Sequence, residues 1–141
     1  MSEPIKEHLG IIELGAICAS MRARNIDLFE QLGAWVVDTD DHELQRLFAL
    51  GSHLHAWHAE LWAQRAPVIP PVELDTSVAH PPLPLVALGD RAGDYRAALD
   101  TMLEDLHQLS ARIDVLLDPS TARTVGLVTN DLTDLWQRLD R

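Results

Sequence analysis

Prolines set the first constraint on this chain. There are eight, and six of them, Pro67, Pro70, Pro71, Pro81, Pro82 and Pro84, crowd into one stretch. Proline lacks a backbone N–H and clashes with the preceding helical turn, so that stretch cannot be helix interior. The sequence on either side contains almost none and carries helical periodicity. The expectation is four helices, over about Pro4–Val37, Asp41–Ala66, Asp90–Leu117 and Ser120–Leu139. Pro4 suits a first helical turn with Ser2 as its cap, and Thr39 and Asp40 suit the cap of the second helix, with Glu43 following. Pro67 closes the second helix, and Gly89 and Pro119 bracket the third.

The Pro-rich stretch, Pro67 to Gly89, reads as extended chain. Roughly 23 residues at about 3.1 Å each reach about 70 Å. A helix of about 25 residues is about 38 Å long. The connection is therefore long enough to run the length of a bundle and start the third helix beside the far end of the second. The other two connections are short. Short, long, short is the connectivity of a ferritin-like bundle with one crossover. A plain up-and-down bundle with a long loop is the alternative. The fold class expected is all-α, a four-helix bundle in a single domain over residues 1–141.

Composition excludes several partners. The net charge is −11, with 22 acidic residues against 11 scattered basic ones. A nucleic-acid surface needs clustered cations, and so does an anionic membrane surface. Neither partner is expected. No run approaches the roughly 18 apolar residues of a membrane span. The start lacks the basic and apolar regions of a signal peptide. Cys18 is the one cysteine, so no intrachain disulfide can form. A cytoplasmic setting is expected. Arginine outnumbers lysine ten to one, which fits a GC-rich bacterial genome.

At 100° per residue each helix shows an apolar face. The first helix carries Ile11, Leu14, Cys18, Met21, Leu28, Phe29, Leu32 and Val36 there, with Asn25 in the middle; Arg24 falls on the far side. The second carries Leu44, Leu47, Phe48, Gly51, Leu54, Leu61 and Trp62. His58 lies at its centre, His55 one turn away and Arg65 below. The third carries Tyr95, Leu99, Met102, Leu106, Leu109, Ile113 and Leu117. The fourth carries Val125, Val128, Leu132, Leu135, Trp136 and Leu139, with Asp131 at the edge. The polar residues aimed inward are Asn25, His55, His58, Arg65, Tyr95 and Asp131. They are the candidate ligand-binding set.

His55-x-x-His58 has the spacing with which two imidazoles share a metal. It equally suits two core histidines bonded to Asn25, Tyr95 or backbone, or an acid–base pair. Burial is expected to lower the His58 pKa unless Asp131 approaches. The single Glu-x-x-His, Glu104 to His107, points away from the third helix's apolar face. The first helix offers Glu7, Glu13 and Glu30, none on its stripe. The carboxylates of a di-iron site are therefore missing, and no cofactor is expected; iron or another transition metal on His55 and His58 is the alternative. Cys18 lies on the apolar stripe, where a thiol is inert. Trp57, at the edge of its stripe, suits either an interface or an extension of the core.

The stretch His55-Ala-Trp-His-Ala-Glu-Leu-Trp62, followed by Arg65 and Pro67, resembles small bacterial proteins of the ferritin-like superfamily. The likeness covers the second helix well and the rest of the chain loosely. It implies the crossover bundle. In active members such as the tRNA hydroxylases and other oxygenases it implies two irons, from which this chain departs in its missing carboxylates. The expectation is a non-enzymatic, or at least non-di-iron, bundle that binds a small molecule or a protein partner, as a homodimer. An enzyme using His55 and His58 as metal ligands or as acid and base is the alternative.

Overall fold

The computed structural model describes residues 9–67 and 90–140. Four helices make up this part of the chain: α1 (Ile11–Asp38), α2 (His42–Arg65), α3 (Arg91–Ser110) and α4 (Pro119–Leu139). Helix α1 begins at Ile11 rather than running on from Pro4, because Gly10 takes an extended conformation as its N-cap residue; Pro4 with its Ser2 cap, and the Pro-rich crossover beyond Pro67, lie outside the described residues. Among the described residues no helix is long and apolar enough to cross a membrane.

Aspartates start three of the helices. Asp41 accepts from the Glu43 and Leu44 N–H groups, Asp90 from Gly93, and Asp118 from Thr121. Each satisfies an N–H that the first helical turn leaves unpaired. The cap of α2 is thus Asp41, one residue past the expected pair. Thr39 instead ends α1, its hydroxyl donating to the Trp35 carbonyl at 2.6 Å. Asp118 is followed by Pro119, whose fixed φ suits a first helical position.

Helix α3 stops at Ser110 rather than at Leu117. The Asp114 carboxylate accepts from the N–H groups of Leu116 and Leu117 at 2.8 and 3.3 Å. This local turn competes with helical hydrogen bonding and wins. Ile113 still leans on the core, but Leu117 is 71% exposed and is not a core residue.

Side-chain pairs give the direction of every helix. Gln45 and Ser52 of α2 donate to the carbonyls of Val36 and Phe29 of α1, so numbers rise on one helix as they fall on the other. These two helices are an antiparallel hairpin. Glu13, Arg24 and Asp38 of α1 pair with Arg112, Asp105 and Arg91 respectively, so the third helix also runs against the first. Helices α2 and α3 are therefore parallel. Helix α4 runs against both, because Asp131 meets His58 and Asp140 meets Arg96.

The packing is uneven around this square. Helix α2 lies close along α1 and α4, and α3 close along α4, whereas α1 and α3 meet chiefly through long side chains. Leu28, Leu32, Phe48, Trp62, Tyr95, Leu99, Met102, Leu106, Leu132 and Leu135 form the fully buried centre. Three assignments on α1 differ from expectation. Phe29 and Ile11 are exposed, at 43% and 59%, while Arg24 is buried. Arg24 turns inward to reach Asp105 at 2.7 Å, burying its stem and leaving the carboxylate at the rim.

Candidate functional site

Asn25, His55, His58 and Tyr95 are fully buried, as their helical phase requires. Three of them form one hydrogen-bonded chain. Asn25 Nδ2 donates to the Met21 carbonyl at 2.8 Å. Its Oδ1 therefore faces His55 Nδ1 at 2.7 Å; the reversed amide would set two oxygens against each other at Met21. His55 must then carry its proton on Nδ1 and donate to Asn25. That leaves Nε2 as an acceptor, and the Tyr95 hydroxyl donates to it at 2.7 Å. The chain runs Tyr95 to His55 to Asn25 to Met21, across three helices, with the donor and acceptor on the His55 ring both used.

Electrostatics hold this arrangement neutral. Burial, assisted by the neighbouring His58 ring, lowers the His55 pKa from 6.5 to about 3. Burial likewise raises that of Tyr95. Neither group ionises near neutral pH, which is what fully desolvated groups should do.

The reading of both core histidines as bonded to Asn25, Tyr95 or backbone fits His55, whereas His58 binds neither side chain. Its ring stands at 87° to that of His55, centroids 6.0 Å apart, and turns toward α4. Its Nε2–H donates to the Asp131 carboxylate at 2.8 Å. Asp131 is 30% exposed, so the pair joins the dry core to the surface. Burial still lowers the His58 pKa, against the pull of Asp131 in the other direction. With Nε2 protonated, Nδ1 is a lone-pair acceptor, and it finds no hydrogen-bond partner among the described residues. An unmet buried acceptor costs about 1–3 kcal/mol.

The remaining candidate stands apart. Arg65 lies near the end of α2, close enough to the Cys18 thiol to act on it electrostatically, and takes no part in the histidine network. Cys18 itself is buried, which pushes its thiol up to about 11 and makes the thiolate scarce. Glu104 and His107 are exposed, as their phase implies. Trp57 is 41% exposed and its ring lies 5.7 Å from that of His58, so a side chain that reaches solvent stands beside that histidine.

Two features of the site escape a helical wheel. One is the purpose of Gly51. A Cβ there would stand 2.7 Å from the Tyr95 hydroxyl and 3.1 Å from Leu32 Cδ1. The glycine lets the phenol reach His55. A glycine in mid-helix, within an apolar stripe, is itself a signal of close approach. The other is a cleft of about 390 Å³ between α1 and α3, floored by Ile17, Met21 and Leu109 and bounded by the Arg24–Asp105 and Glu13–Arg112 pairs. Of the residues in the histidine network, only Met21 touches it.

The donor set among the described residues does not suit two irons. Among the described residues no three His, Cys, Asp or Glu side chains come together as a metal cluster. His55 has no nitrogen to spare, and His58 with Asp131 supplies two ligands where a di-iron bundle supplies carboxylates from every helix. Comparison with family models, with curated proteins and with solved structures found no match to this chain.

Proposed function

We propose that this chain is a ferritin-like bundle whose centre holds a hydrogen-bonded Asn–His–Tyr core in place of two irons, and that it binds a small molecule at His58, between α2 and α4. The helix directions support the ferritin-like part: the first and second antiparallel, the second and third parallel, the fourth reversed. The observation that carries the binding site is the Nδ1 of His58, buried, oriented by Asp131 and without a partner among the described residues. A perturbed titration together with an unmet buried acceptor is a physical signature of a ligand site. Trp57 beside it gives the site a side chain that reaches the surface.

The competing reading is an enzyme using the two histidines as metal ligands or as acid and base. Geometry favours binding, because both nitrogens of His55 are spent on internal hydrogen bonds. Elemental analysis of protein purified aerobically should show no stoichiometric iron; about two irons per chain would overturn the proposal.

His58→Leu supplies the second check. It removes the unmet acceptor and leaves Asp131 able to turn to water, so it should cost no more than about 1 kcal/mol. Small neutral compounds that raise the Tm of the natural protein should lose that effect in the variant, since a ligand stabilises only a fold that binds it. Compounds that stabilise both proteins equally would place the site elsewhere.

A further inference from the structure

Four buried side-chain nitrogens lack hydrogen-bond partners among the described residues: His58 Nδ1, Trp62 Nε1, Arg96 Nε and Trp136 Nε1. The last two are both donors, and Arg96 lies over the Trp136 ring at 4.0 Å, so neither can serve the other. The first two are different. His58 Nδ1 is an acceptor, because the ring proton sits on Nε2 and is donated to the Asp131 carboxylate. Trp62 Nε1–H is a donor only. Both side chains are wholly inaccessible to solvent. They are four residues apart on the buried face of α2, one helical turn from each other.

From this pairing of one unmet donor with one unmet acceptor, we infer that the His58 site takes a neutral hydroxyl group that accepts from Trp62 Nε1–H and donates to His58 Nδ1. The inference rests on the reading of His58 as the ligand site and adds the chemistry of its occupant. A carboxylate or phosphate could accept from Trp62 but has no proton for Nδ1, and it would bring a second negative charge near the Asp131 carboxylate, which His58 already binds. An ammonium group could donate to His58 but cannot accept from the indole. A hydrocarbon would leave both nitrogens unmet. A hydroxyl satisfies both with one oxygen. Water and a small alcohol share that chemistry and differ in what the oxygen carries.

The test is NMR of the full chain with nitrogen-15 in its histidines and tryptophans. In water, His58 Nδ1 should resonate as a hydrogen-bonded acceptor, and the Trp62 Nε1–H should show a cross-peak to a long-lived water. Titration with methanol should transfer that cross-peak to the methanol methyl group if the site takes an alcohol, and leave it on water if the occupant is resident water. Either result supports the hydroxyl bridge. Trp62→Phe should move the Nδ1 resonance to that of a bare lone pair, while the His55 signals stay in place; the cross-peaks of the natural protein need no variant at all. A bare lone pair at Nδ1 in both water and methanol, or an Nδ1 resonance indifferent to Trp62→Phe, would overturn the bridge. If compounds still act through His58 in that case, the ligand site stands and only its chemistry is wrong. If the bridge is seen but no compound distinguishes His58→Leu, the ligand reading fails and the bridge stands.

Discussion

Lowering the pH from 7.5 to 5 should weaken this fold, at about 1.4 kcal/mol per pH unit for each histidine held neutral. His55 sets the sign. Its unfolded value is 6.5 and its folded value about 3. Above 6.5 neither state holds the proton, and the full stability is present. Between 6.5 and 3 the unfolded chain binds a proton that the fold refuses, so stability falls as the pH falls. His58 shifts in the same direction and steepens the upper part of this window. Carboxylates held low by arginine, such as Glu13 and Asp38, lose their stabilisation at lower pH than the range used here. Urea unfolding at pH 7.5, 6 and 5 measures the slope. His55→Gln can keep both hydrogen bonds without titrating, and should remove one histidine's share. A flat profile between pH 7.5 and 5 would show that the His55 ring is not held in a dry core.

Gly51→Ala should be among the most damaging single-methyl changes available in this protein. Overpacking a tight core costs about 1–3 kcal/mol. Here the added carbon meets the end of a rigid phenol and a leucine methyl, neither with room to turn. Displacing Tyr95 also leaves His55 Nε2 without its donor, worth about 1 kcal/mol or more. The double variant Gly51→Ala with Tyr95→Phe isolates the cause. Removing the hydroxyl relieves the closest of these contacts, so the two changes together should cost less than their sum. Strict additivity in urea unfolding would mean that the glycine is not there for the tyrosine.

Much of this was legible in the sequence. The apolar faces carry Asn25, His55, His58 and Tyr95 inward because 100° per residue gives the angle of a side chain reliably. A helical wheel does not give the height of one helix against the next. That is why the partners of His58 were misassigned: the α1–α2 register sets Asn25 level with His55, and α4 brings Asp131 to His58 from the rim. Arg24 escaped for a related reason. Its position is peripheral, but its stem is long enough to turn in once Asp105 lies opposite. The end of α3 escaped because apolar periodicity continues through Ile113 and Leu117, while a single carboxylate, Asp114, claims the backbone donors that further helix would need.

The seam between α1 and α3 gives the molecule two unlike edges. On the side of α2, the first helix is sealed by apolar packing. On the side of α3 it is tied by three ionic clasps at widely spaced levels, Glu13–Arg112, Arg24–Asp105 and Asp38–Arg91, with a cleft between two of them. All three clasps reach solvent on their carboxylate side, where counterions at physiological strength act over about 8 Å. Added salt therefore loosens one edge and leaves the other as it was, since apolar contacts do not weaken with screening. The bundle is a book with a glued spine and a buttoned fore-edge, and ionic strength works the buttons.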